Sequence, residues 1–101
     1  MKDLKENNTL IHLVLVFEKK WSGPCQIMEP IFNKLQIEYK DLIVRIDVEK
    51  NQELALSYGV NKIPAIIIIK NGLINDHLTG IISYKILMNK INNLIKIKEE
   101  E

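Results

Sequence analysis

Trp21-Ser22-Gly23-Pro24-Cys25 stands between an apolar run, Leu10 to Phe17, and an amphipathic pattern that begins near Cys25. The run is rich in β-branched residues and too short for a buried helix. It reads as a strand covered on both faces. Ser22, Gly23 and Pro24 then break the pattern. From Cys25 onward Ile27, Met28, Ile31, Phe32, Leu35 and Tyr39 keep the three–four spacing of a helix. Ser22 suits its N-cap and Pro24 its first turn. The stretch therefore sets a sulfur at a helix N-terminus, where free N–H groups and the positive dipole end favour a thiolate. Pro30 removes a backbone donor within the pattern and predicts a kink. Lys40-Asp41 marks the end of the helix.

Outward from this centre the chain stays legible. Met1 to Glu6 could form a turn or two of helix, and Asn7-Asn8-Thr9 is a turn signal. His12 falls at the beginning of the first strand. Leu42 to Val48 reads as a second strand. Two strands joined by such a helix should be parallel, with a right-handed crossover. Asn51 can cap a short helix carrying Leu54, Ala55, Leu56 and Tyr58, with Gly59 closing it. Ile63-Pro64 leads into a third strand, Ala65 to Ile69. Lys70-Asn71-Gly72 signals a hairpin to a fourth strand, Leu73 to Leu78. Thr79-Gly80 turns again. Ser83 opens a final helix with Ile86, Leu87, Ile91, Leu94 and Ile95 on one face, and Lys98 to Glu101 is a solvated tail. The order β-α-β-α-β-β-α gives an α/β fold: a mixed four-stranded sheet flanked by helices.

Bulk composition narrows the function classes. The 101 residues, 47% hydrophobic and 27% charged, suit one domain spanning residues 1–101. A net charge of +1 supplies no field towards nucleic acid or an anionic membrane. Lysines are scattered, and no glycine-rich phosphate loop is present. One cysteine and two separated histidines make neither a disulfide framework nor a zinc site, so no metal and no cofactor is expected. Lys2 and Lys5 before an apolar run could suggest a signal peptide. That run is short, holds His12, and is followed by Glu18-Lys19-Lys20 rather than small residues. The expected setting is the cytoplasm or an organelle interior, with no membrane partner.

Val14-Leu15-Val16-Phe17, Trp21-Ser-Gly-Pro-Cys25, Met28-x-Pro30, Ile46-Asp47-Val48, Tyr58-Gly59-Val60, Ile63-Pro64, Lys70-Asn71-Gly72 and Gly80 recur in one order. In that order and spacing the chain resembles the thioredoxin family over nearly its whole length. The resemblance implies the thioredoxin fold and a cis-proline at Pro64. Three departures concern chemistry. Ser22 occupies the position of the attacking cysteine. Val16 stands where the family usually has a buried Asp that deprotonates the second cysteine. Glu18 replaces a second Trp. The segment before the first strand is short, so the family's N-terminal strand is expected to be missing.

These departures frame the site. A serine hydroxyl is a poor nucleophile towards sulfur near neutral pH and forms no disulfide. Neither His12 nor His77 is placed by this topology to serve as its base. Ser22 therefore reads as a cap or a contact residue. Cys25 reads either as a lone redox thiol or as a small buried residue. Trp21, Gly23, Pro24, Ile63 and Pro64 are candidates to bind an extended partner segment, in the manner of strand addition. Glu18, Lys19 and Lys20 read as solvated charges. The reading that follows is a protein unable to run a dithiol cycle, which binds an extended segment of a protein partner. The alternative is monothiol exchange through Cys25, with glutathione or a partner supplying the second thiol in cellular redox homeostasis.

Overall fold

Strand β1 (Leu13–Glu18) occupies an inner position of a four-stranded sheet in the computed structural model, which describes residues 11–100 and side chains as far as residue 95. The sheet order is β2-β1-β3-β4, with β2 at Ile43–Asp47, β3 at Ala65–Lys70 and β4 at Leu73–Thr79. β2 runs parallel to β1, while β3 is antiparallel to β1 and β4 to β3. Helix α1 (Gly23–Glu38) and a 3-10 turn at Lys40–Leu42 make the crossover that a parallel pair requires. Helix α2 (Gln52–Ser57) follows β2, and α3 (Tyr84–Glu100) follows β4.

Alternation along β1 builds two cores. Val14 and Val16 face Met28, Phe32 and Leu35 of α1 and Leu87, Ile91 and Leu94 of α3. Leu15 and Phe17 face Ala55 and Val60 on the other side. Phe17, Phe32, Met28, Ala65 and Ile67 retain no exposed surface. Truncating either Phe to Ala would cost about 3–5 kcal/mol, a large part of the stability of a chain this size.

The turns carry out what their residues require. Asn71 and Gly72 have φ of 54° and 78°, and Lys70 pairs with Leu73. Two positive φ values across a two-residue loop match the right-handed twist of the strands. Gly59, at φ 70°, follows the end of α2. The Ser83 hydroxyl accepts the Ile86 N–H at 3.2 Å and caps α3.

Several expectations need correction. β1 begins at Leu13, not Leu10. Leu10 itself, the helical turn over Met1 to Glu6, the turn at Asn7-Asn8-Thr9 and the missing N-terminal strand fall outside the described residues. α1 starts at Gly23 and ends at Glu38, short of Lys40. Ser22 is in the N-cap position, yet its hydroxyl makes no capping bond; Pro24 has no N–H, so one of the two donors a cap would use is missing. The Asn51 side chain makes no capping bond to α2 either; its amide donates to the Asp47 carbonyl at 2.9 Å. Of the apolar residues of α2 only Ala55 is buried, since six residues present a single narrow face. Ile86 is half exposed at 49%. The buried stripe of α3 is Leu87, Ile91 and Leu94, and Ile86 lies about 100° away from Leu87. Pro30 lies inside α1, as the apolar spacing places it.

The charges Glu18 and Arg45 are also not what alternation alone suggested. Glu18 is not a solvated charge. Its carboxylate accepts two bonds from the Arg45 guanidinium, Nε at 2.6 Å and Nη2 at 2.8 Å. Arg45 pairs in register with Val16, so its side chain leaves β2 on the α1 side, where it also reaches Asn33 at 2.6 Å and Glu29 at 2.5 Å. The Glu18 hydrogen bonds raise the Arg45 pKa further, against the opposing pull of burial. Both side chains are little exposed, 17% for Arg45 and 16% for Glu18. Arg45→Ala should therefore lower unfolding free energy by about 2 kcal/mol, roughly 10 °C in melting temperature. Lys90→Ala, which breaks a pair with Asp76 that is about a third exposed on each side, should cost under ~1 kcal/mol. Urea titration of the two variants checks the order, and equal losses would remove the special standing of Arg45.

The C-terminal end of α1 is tied to α3 by tyrosines. Tyr84 donates to the Glu38 carboxylate, and Tyr39 donates to Asn92 Oδ1 at 2.7 Å. The bond to Glu38 is the main cause that pushes the Tyr84 pKa from 10.0 up to about 12. A raised folded-state pKa means the native state holds the proton longer than the unfolded chain. Stability from this bond is thus complete below pH 10.0 and is lost as pH rises towards about 12. Burial and the Glu38 charge also raise Tyr39, so tyrosinate absorbance during an alkaline titration should show a late phase whose last component is Tyr84. Tyr84→Phe should remove that component, and its persistence would reassign it.

Candidate functional site

β1 is covered on both faces and delivers the chain to its C-terminal edge. There Lys19, Lys20 and Trp21 turn outward before α1 begins. The Ser22 N–H donates to the Lys19 carbonyl at 3.1 Å and the Gln26 N–H to the Ser22 carbonyl at 2.9 Å, which closes the turn. Trp21 projects into solvent with 75% of its surface exposed, and the Lys20 ammonium lies 5.2 Å from its ring centroid.

Cys25 sits in the first turn of α1 and is buried, 3% exposed. Its sulfur accepts the Lys19 N–H at 3.4 Å. Val16, the position at which a buried acid would serve this sulfur, is 1% exposed and packed in the apolar core. Ser22, a residue before the helix, is half-buried.

The structure divides the candidate residues between two hollows. Trp21 and Cys25 line a cavity of about 520 Å³ together with Glu18, Lys19, Glu29 and Arg45. Pro24 and Ile63 line a second cleft of about 500 Å³ with Lys62, Thr79, Gly80 and Ile81. Gly23 belongs to the turn between them, and a Cβ there would meet open space. Pro64 is buried behind the second cleft. The Ile63–Pro64 peptide bond is cis, and the Pro64 carbonyl is already taken by the Gly80 N–H at 2.9 Å. The Ile63 N–H and C=O, by contrast, bond to no other main-chain group among the described residues. β3 begins only at Ala65, so Ile63 lies in the bend just before the strand.

Sequence reasoning missed Arg45, Glu29, Asn33, Lys62, Thr79 and Ile81. Arg45 left one signal: a long cation on an alternate position of an otherwise apolar strand. Lys62 and Ile81 left none, because each is an ordinary loop residue until the third strand and the Gly80 turn bring them together.

Comparison with known proteins agrees with this geometry. The family model for thioredoxin matches residues 2–93. A chloroplastic thioredoxin of Arabidopsis thaliana, Y2, is 36% identical over 99 residues, 96% of this chain and 59% of the relative. The chain thus spans little more than half of that relative's length, and 46% of the related Y1 form. The thioredoxin of Bacillus subtilis is 36% identical over 78 residues, 75% of each chain. Among solved structures, a thioredoxin of Nicotiana alata superposes with a TM-score of 0.75 at 29% identity, covering 92% of this chain and 84% of the other. That of Fasciola hepatica gives 0.75 at 28% identity, covering 92% and 89%. With a family model matched over most of its length, this chain belongs to the thioredoxin family.

Proposed function

We propose that this protein is a thioredoxin-like binding module that holds extended segments of partner proteins in the cleft beside Pro64 and runs no dithiol cycle. One observation carries the reading. The single sulfur is buried at the inner position, while the outer position holds Ser22. No internal disulfide can form, and a hydroxyl does not attack a disulfide sulfur near neutral pH. The binding surface does not depend on that chemistry. The free Ile63 backbone offers a donor and an acceptor to an extended chain, and Pro24, Ile63 and Ile81 offer apolar area beside it. The proposed setting is the cytoplasm or an organelle interior, where a lone thiol stays reduced. The chloroplastic names of two plant relatives fit the second option.

A second reading draws on the fact that Cys25 borders the larger cavity. There its thiolate would attack a substrate disulfide, forming a mixed disulfide and releasing one substrate thiolate. A glutathione thiolate would then attack that bond and free the second substrate thiol. A further glutathione would restore Cys25 and leave as glutathione disulfide. The two electrons come from the two glutathiones.

Insulin reduction in the presence of a thioredoxin-reducing system should show no turnover by the wild-type protein; catalytic turnover would sink the first reading. Ser22→Cys should gain slow turnover, about a hundredfold short of a family member with an acid at position 16. Iodoacetamide should modify native Cys25 at least about tenfold more slowly than the denatured chain. Labelling of the native protein at the rate of a free thiol would replace the first reading by the second.

A further inference from the structure

The cleft beside Pro64 is not electrically neutral. Lys62 is the only charged side chain among its lining residues, the others being Pro24, Ile63, Thr79, Gly80 and Ile81. Lys62 is exposed, and it has no ion-pair partner among the described residues. A second ammonium, that of Lys20, stands over the exposed Trp21 ring at the neighbouring turn. Three acids, Glu18, Glu29 and Asp47, line the other cavity, and Glu18 and Glu29 bind Arg45. Lys19 is paired with Glu49 at 3.8 Å. The apolar floor is also well defined, because Ile81 is 61% exposed directly after the Gly80 turn.

From this charge pattern we infer that the occupant of the cleft is an extended, acidic segment: an apolar side chain seated against Ile63 and Ile81, with a neighbouring carboxylate on Lys62. The inference rests on the reading of the cleft as a peptide-binding groove and adds the chemical class of the peptide. The Ile63 main chain fixes direction and register, the apolar anchor supplies most of the affinity, and Lys62 selects by charge. A lysine at an open rim pairs with modest strength and is screened by salt, so the selection is one of preference.

Occupancy of the cleft is read from the anisotropy of a fluorophore on each peptide, because Trp21 lines the other hollow. Three capped octapeptides would be titrated, identical in an extended-favouring apolar centre and carrying two Glu, two Gln or two Lys beside it. The Glu peptide should bind about threefold more tightly than the Gln peptide at low salt, and the Lys peptide more weakly than either. The gap should close in high salt and in Lys62→Gln, and reverse in Lys62→Glu. Equal binding of the Glu and Gln peptides, or a preference that survives Lys62→Gln, would overturn the inference and leave the groove reading intact. If none of the peptides binds wild type, as checked independently by calorimetry, the groove reading fails and takes the inference with it. If sedimentation shows a dimer that Lys62→Glu disrupts, the cleft is occupied by a second copy and the inference is overturned.

Discussion

The position of β1 is the constraint on which the rest depends. It is hydrogen-bonded to β2 on one side and β3 on the other, and both of its faces are covered. A strand held in four directions has one place at which its chain can leave. Residues 19–22 must then turn within a few ångströms of the start of α1. Cys25 follows, sunk beside the end of the strand by the same packing that buries Met28 and Phe32. The cleft depends on β1 as well. Pairing of Phe17 with Ala65 and of Ala65 with Thr79 sets the residues just outside the sheet, Ile63 and Gly80, at the same edge. One core strand therefore places both the sulfur and the Ile63 backbone, although they come from distant parts of the sequence.

The ion cluster around Arg45 shows how this edge tolerates charge. Val16 and Glu18 alternate onto one face of β1, and Arg45 leaves β2 on that face opposite Val16. Val16 is deep enough to be wholly apolar. Glu18, two residues on, has reached the rim, where a carboxylate survives if it is paired. Arg45 meets it with a planar fork and also binds Glu29 and Asn33 on α1. The contact thus joins two strands and a helix at the point where the chain turns towards Cys25. Both carboxylate oxygens of Glu18 are held by the guanidinium of Arg45.

Much of the architecture was legible in the sequence because its signals are local. Continuous β-branched runs marked the inner strands β1 and β3. The three–four spacing marked α1 and α3, and Asn71-Gly72 marked the hairpin, though not the register shift between Ile68 and Ile69. Boundaries were less legible where side chains had competing partners. Ser22 and Asn51 both carry capping side chains, yet neither makes a capping bond: Pro24 withholds a donor from one, and the amide of the other donates to the Asp47 carbonyl. The site was legible as a list of residues and not as a shape. Trp21, Pro24, Cys25 and Ile63 read as one surface, yet the turn at residues 22–24 separates them into two hollows. Glu18 was misread as solvated because its partner, Arg45, lies 27 residues away on another strand. Only tertiary pairing makes that contact.

The separation of the two hollows bears on how such a fold can lose one property and keep another. Disulfide exchange needs a nucleophilic sulfur, an exposed path to it and a proton acceptor. Here those requirements fall on positions 22, 25 and 16, on the turn and the core behind it. Holding an extended segment needs a free stretch of backbone, an apolar wall and a turn that keeps both in place. Those fall on Ile63, on Pro24 and Ile81, and on Gly80, whose φ of 86° suits glycine and whose N–H locks the Pro64 carbonyl. Only Pro24 stands near both sets. Positions 16 and 22 lie outside the lining of the cleft. Val16 in place of an acid also spares the core a buried carboxylate, whose desolvation costs several kcal/mol unless it is paired. The edge that carries Ile63 and Gly80 is held by the β1–β3–β4 pairing and does not depend on the residue at position 16 bearing a charge.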